Sequence, residues 1–189
     1  MKKIVIAVLL LASFNAFSQT EISKEKKWTF GFGLNVIDNT STFKSEFVNP
    51  NDNWNVSLPL AAFSIERQIG TYFAGELSFS YNKISKSKLQ NGSNIAKDVY
   101  YLGFDLNGKF YIDKLISKKS PIGAYLLAGV GEFSSNDKYN QSGNAGIGLV
   151  YMFKPNLGLR IQTVGKFAKE MDQVLNNHIQ HTAELVFKF

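Results

Sequence analysis

Few residues in this chain could do chemistry. It has two histidines, His178 and His181, and no cysteine in 189 residues. Without thiols, a disulfide framework, a thiolate zinc site and a cysteine nucleophile are excluded. A histidine, a hydroxyl and a carboxylate could still make an acyl-transfer triad. In an extended segment, however, side chains alternate between faces. His178 and His181 are three residues apart, so they fall on opposite faces and cannot chelate one metal together. His181 and Glu184 diverge for the same reason. Asn51 and Asp52 supply too few ligands for calcium. The expectation is a protein that is not an enzyme and has no catalytic, metal or cofactor-binding residues.

A larger set of ionisable residues recurs at polar positions of alternating segments: Glu76, Asp105, Lys109, Arg160, Lys166, Glu184 and Lys188. Eight segments carry them or stand beside them. They are Trp28 to Val36, Trp54 to about Ile65, Tyr72 to Asn82, Val99 to Tyr111, Ile122 to Phe133, Asn144 to Phe153, Leu157 to Ala168 and His178 to Phe189. Each has period two, the signature of a strand with one apolar face. In the first, Trp28, Phe30, Phe32, Leu34 and Val36 alternate with Thr29, Gly31, Gly33 and Asn35. Pro59 lacks a ladder donor and marks an irregularity in the second. The segments run roughly nine to twelve residues, the length of a tilted membrane-spanning strand. The connections alternate too. Segments 37–53, 83–98, 134–143 and 169–177 read as long polar loops, whereas 66–71 and 154–156 are short. Short turns at one end and long loops at the other is the membrane-barrel pattern.

Alternation alone does not say which face is dry. A soluble lipocalin-like binding barrel would put the apolar face inside. Three features favour the inverse. Strand glycines such as Gly31, Gly103, Gly129 and Gly146 would be exposed on a soluble barrel but have a packing use in a narrow lumen. Trp54, Tyr72, Tyr100, Tyr151, Phe153, Phe187 and Phe189 fall near strand ends, where interfacial girdles sit. The chain also stops on Phe189 within a strand. The fold class expected is all-β: a closed eight-stranded antiparallel up-and-down transmembrane β-barrel. The seven ionisable residues then form a lumen polar network, paired because burying them unpaired is costly. Trp28, Phe79, Phe104 and Phe187 point outward. Eight strands leave an interior that side chains can fill.

The N-terminus reads as a secretory signal peptide over 1–18. Lys2 and Lys3 precede an apolar run from Ile4 to Leu11, and Ala16 and Ser18 place the cut before Gln19. Residues 19–27 form a flexible lead-in and 28–189 the barrel domain. The formal charge of +6 falls to +4 once the two signal-peptide lysines are gone. Neither that mild charge nor the lysine clusters at 24–27 and 114–119 make a nucleic-acid site. No stretch after residue 18 could be a transmembrane helix.

The stretch from Trp28 to Phe189 resembles the OmpA-like outer-membrane β-barrel family, in its eight-stranded transmembrane domain. The resemblance rests on Gly75-Glu76-Leu77-Ser78-Phe79-Ser80-Tyr81-Asn82, Gly143-Asn144-Ala145-Gly146-Ile147-Gly148, Asn177-His178-Ile179-Gln180-His181 and Leu185-Val186-Phe187-Lys188-Phe189. It implies the bacterial cell outer membrane, with both termini periplasmic. It also implies insertion by the barrel-assembly machinery, contact with outer-membrane lipids and lipopolysaccharide, and a structural or envelope-integrity role. A Glu-Arg-Lys cluster in the lumen and a C-terminal assembly signal at Phe187 and Phe189 are further implications. Longer relatives continue into a peptidoglycan-binding domain. This sequence stops before one, so their cell-wall anchoring is not carried over. A surface ligand, as yet unidentified, would meet the extracellular loops. The competing readings are a narrow pore, a lipid-modifying enzyme and the soluble binding barrel.

Overall fold

The computed structural model describes residues 27–38, 54–90, 93–116, 120–135, 138–169 and 175–189. The signal peptide, the lead-in before Lys27, and Asn51 and Asp52 lie outside them. The strands are β1 (Trp28–Asp38), β2 (Trp54–Ile69), β3 (Phe73–Ile84), β4 (Leu89–Gln90), β5 (Ser93–Asn94), β6 (Val99–Tyr111), β7 (Ile122–Ser135), β8 (Lys138–Lys154), β9 (Leu157–Ala168) and β10 (His178–Lys188). Eight of them close in the order β1-β10-β9-β8-β7-β6-β3-β2, all antiparallel, while β4 and β5 form a small separate hairpin. Closure joins the two ends of the chain's barrel segment. Trp28 N–H donates to Phe189 O at 3.1 Å and Phe189 N–H to Trp28 O at 2.9 Å. Phe30 stacks on Phe189 and Phe32 on Phe187 across this seam.

The period-two pattern becomes an inside-out barrel. Phe79, Phe104, Leu106, Leu126, Ile147, Leu149, Ile161, Leu185 and Phe187 are exposed on the outer face. Glu76, Asp105, Asn107, Lys109, Arg160, Gln162, Lys166 and Glu184 are buried in the lumen. A soluble lipocalin-like barrel needs the opposite arrangement. At one end, here the turn end, two of the three links are tight, 70–72 and 155–156, while β6 and β7 are joined through 112–121. Gly70 supplies the positive φ of 68° between β2 and β3, a conformation that L side chains rarely adopt. Gln68 Nε2 steadies that turn by donating to Phe73 O at 3.0 Å.

Two sequence expectations about strand ends are corrected, one at the opposite, loop end and one at the turn end. Segment 134–143 is not a long loop. β7 runs on to Ser135 and β8 starts at Lys138, with Ser135 paired to Lys138. Alternation persists there, with Asn140 and Ser142 buried and Tyr139 and Gln141 exposed. The polar composition marks where the outer face stops being apolar, not where the strand stops. The second strand likewise does not end at Ile65 but continues four residues to Ile69. Near Pro59 the irregularity is real. The β1–β2 register jumps between Gly33↔Ala62 and Asn35↔Ser57, and Leu60 has φ of 64°. Above Ala62, β2 leaves the β2–β3 ladder, which runs from Ala62↔Ser80 to Ile69↔Phe73. Asparagines take up the orphaned carbonyls. Asn82 Nδ2 donates to Asn35 O at 3.1 Å and Asn55 O at 2.8 Å, and Asn35 Nδ2 donates to Tyr81 O at 3.2 Å. Buried backbone groups need such partners.

Candidate functional site

The lumen is filled in layers. Nearest the turn end lies an apolar cluster of Ala74, Tyr111, Tyr125, Leu127 and Val164. Nearest the loop end lies another, of Ile37, Ile84, Val99, Tyr101, Phe133 and Leu175. Two charged networks sit between them. They are built from alternate positions of β2, β3, β6, β9 and β10, whose inward side chains converge because eight strands enclose so little space.

Arg160, from β9, is the hub of the first network. Its Nη1 lies 2.9 Å from Glu66 and 3.3 Å from Glu76, and its Nη2 lies 2.7 Å from Glu184. Nε also donates to Glu184, at 2.8 Å. Lys109 bridges the remaining carboxylates, 2.8 Å from Glu66 and in close contact with Glu76. Tyr111 donates to Glu66 at 2.6 Å, Ser64 to Glu184 at 3.1 Å, and Tyr125 to Gln162 at 2.7 Å. Gly31 lies over this hub. A Cβ there would meet Arg160 Nη2 at 2.7 Å and Glu184 Oε2 at 2.9 Å, so the guanidinium can lie against the wall only because β1 has no side chain there.

The second network is smaller. Lys166 Nζ lies 2.7 Å from Asp105 Oδ1 and also donates to Tyr101 Oη at 3.2 Å. Asn144 Nδ2 donates to Asp105 at 2.9 Å and to Asn107 at 3.2 Å. His178 closes the stack on the loop side, its ring edge-on to Phe133 and its Nε2 3.4 Å from Tyr101 Oη.

Six of the seven expected lumen residues therefore fall into two paired groups. Glu76, Lys109, Arg160 and Glu184 meet in one, Asp105 and Lys166 in the other. The seventh, Lys188, is half-buried at the turn end and belongs to neither. Glu66 is a member that the sequence reading missed. It sits one position past Ile65, where the apolar alternation suggests the second strand ends, and the alternation Ser64-Ile65-Glu66-Arg67 is the signal for it.

The two histidines point away from each other. His181 is on the outer face, where its Nδ1 lies 3.0 Å from Thr163 Oγ1 and its ring 5.3 Å from Trp54. Trp54 donates to Asp38 at 3.1 Å. Glu184 points into the lumen, as the alternation requires. Among the described residues, no three His, Cys, Asp or Glu side chains converge as a metal would need. Beyond the wall, Lys83 Nζ pairs with Asp98 at 2.7 Å, and that hydrogen bond holds the Asp98 carboxyl below its ordinary range.

The site thus sits in a closed eight-stranded antiparallel barrel with an apolar outer face and a salt-bridged interior. No family model and no curated protein sequence matches the chain. Solved structures do. The outer membrane protein OprG from Pseudomonas aeruginosa matches at a TM-score of 0.61 and 12% identity, over 88% of this chain and 97% of that one. Neisserial surface protein A matches at 0.57 and 15%, over 86% and 96%. The N-terminal β-barrel domain of Pseudomonas aeruginosa OprF matches at 0.55 and 12%, over 88% and 100%. At these identities the likeness is one of fold.

Proposed function

We propose that this protein is an integral β-barrel of a bacterial outer membrane whose role is structural, with its loop end presented for surface interaction. The observation that carries this reading is the inversion of the wall. Large apolar side chains project outward from every barrel strand, while charges pair inside. A contiguous apolar exterior running over every barrel strand marks a surface for lipid or a partner rather than for water. Closure supplies partners for the backbone groups that lipid cannot satisfy. Both termini and the short turns lie on the periplasmic side, and outer-membrane lipids and lipopolysaccharide coat the wall. The barrel-assembly machinery inserts the chain, reading Phe187 and Phe189.

The lumen supports a plug rather than a pore. Two apolar clusters and two charged networks fill it, and the cavity between the networks holds about 10 Å³. Catalysis has little support, because the lumen carboxylate Glu184 does not approach the Thr163–His181 pair, and Asp38, whose charge does reach His181, accepts from Trp54 Nε1–H.

Spin labels placed at Phe79, Phe104 and Leu149 of the barrel refolded in bilayers test the reading. Quenching by lipid-borne agents at all three is expected, whereas quenching by a water-soluble agent alone would overturn it. Deleting residues 40–52 should leave the barrel folded and abolish capture of a surface ligand. Unchanged capture would move the interaction elsewhere.

A further inference from the structure

Among the described residues, the charges fully buried in the lumen do not balance; Lys188, half-buried at the turn end, stands in reach of solvent. Four carboxylates, Glu66, Glu76, Asp105 and Glu184, stand against three cations, Lys109, Arg160 and Lys166, and all seven are buried. A surplus negative charge in an enclosed interior is costly unless something positive neutralises it. A proton on one carboxyl or a bound cation would do so.

The cavity between the two networks favours the cation. Its lining includes Glu184, Asp105, Ser78, Asn107, Thr182 and Gln180, and its volume of about 10 Å³ suits one water-sized occupant. Gln180 is only 5% exposed, and its Oε1 is a buried acceptor with no donor among the described residues. A proton on Glu184 or Asp105 could donate to that amide oxygen only by weakening the charge-assisted pair with Arg160 or Lys166, whereas a cation in the cavity serves both the oxygen and the surplus charge and leaves every pair ionised. Carboxylate, amide and hydroxyl oxygens are the ligands of hard cations. A divalent ion would overshoot a surplus of one charge.

We propose that the lumen holds one monovalent cation, sodium, in the cavity between the Arg160 and Lys166 networks, against Gln180 Oε1 and Glu184. The cation is a structural constituent of the plug and does not pass through it. The site rests on the lumen geometry alone and is independent of where the barrel resides.

The test compares unfolding rates of the refolded full barrel in sodium chloride and in N-methylglucamine chloride at equal ionic strength. The organic cation is too large for the cavity. With sodium at ten times its dissociation constant, unfolding through a cation-free transition state should be about tenfold slower than in the organic salt. Glu184→Gln removes the surplus charge and should erase the difference. Should that variant fail to refold, Gln180→Met removes the acceptor and should erase it equally. Equal wild-type rates in the two salts would overturn the proposal, and an infrared carbonyl band from a protonated carboxyl in both would then assign neutralisation to a proton.

Discussion

Arg160 and Glu66, separated by 94 positions in the chain, meet across the lumen at 2.9 Å. The contact joins β9 to β2, strands that are not neighbours in the wall, and so it braces the barrel across its width. Removing the guanidinium leaves Glu66, Glu76 and Glu184 with Lys109 as their only cation in that network. Breaking a buried pair in this way costs about 3–5 kcal/mol. Arg160→Ala should lower stability by that amount in urea unfolding. A loss below about 1 kcal/mol, the ceiling for a solvated surface pair, would mean that water enters the plug.

Gly31 should tolerate nothing larger. Gly31→Ala drives a methyl group into Arg160 and Glu184, an overpacking that typically costs about 1–3 kcal/mol. Gly143 is the control, since a Cβ there meets nothing within 4 Å. Gly143→Ala should leave the unfolding midpoint within error. Equal sensitivity at the two sites would refute the packing account.

How far the sequence could be read differs between wall and plug. Alternation located all eight barrel strands, because each has one face that must be apolar along its length. It failed where that requirement lapses. Tyr139-Asn140-Gln141-Ser142 keeps its ladder but carries polar residues on both faces, so composition mistook strand for loop. Glu66 was lost to a boundary error, and Lys188 was counted in because parity gives a face but no depth. The pairing of Arg160 with Glu66, rather than with Asp105, depends on register between strands, which no single-chain pattern encodes.

His181 and Thr163 lie 3.0 Å apart on the outer face like two members of an acyl-transfer site, but Asp38, the carboxylate whose charge reaches His181, is engaged by Trp54. The refolded barrel is therefore expected to hydrolyse neither phospholipid nor lipid A. Release of fatty acid that disappears in His181→Phe would reverse this.

Phe189 stacks on Phe30 at 4.8 Å and hydrogen-bonds through its backbone to Trp28. Loss of the ring in Phe189→Ala should cost about 1–3 kcal/mol if it is buried in lipid. If the residue is also read during assembly, insertion in cells should fall far more than refolding in detergent. Equal small losses in both settings would leave Phe189 a packing role only.

Asp98 should titrate below an ordinary aspartate, because Lys83 donates to its ionised form. A depressed folded-state pKa stabilises the native loop above the unfolded pKa, and that contribution vanishes as pH falls through the folded value. Lys83→Met should move the Asp98 carboxyl resonance titration upward. An unchanged curve would assign the shift to the Lys86 amide instead.

The plug has a bearing on time as well as on strength. Ser64 and Glu184 are 120 positions apart, and Arg160 and Glu66 are 94. Contacts so distant along the chain can form only after most of the loop-closure entropy has been met. Interactions that arise after the rate-limiting step leave the folding rate almost untouched and act on the rate of escape from the native state. The salt-bridged lumen therefore acts as a latch. Arg160→Ala should fold at nearly the parental speed and come apart much faster, so the plug's main consequence would be the lifetime of a protein inserted once and kept.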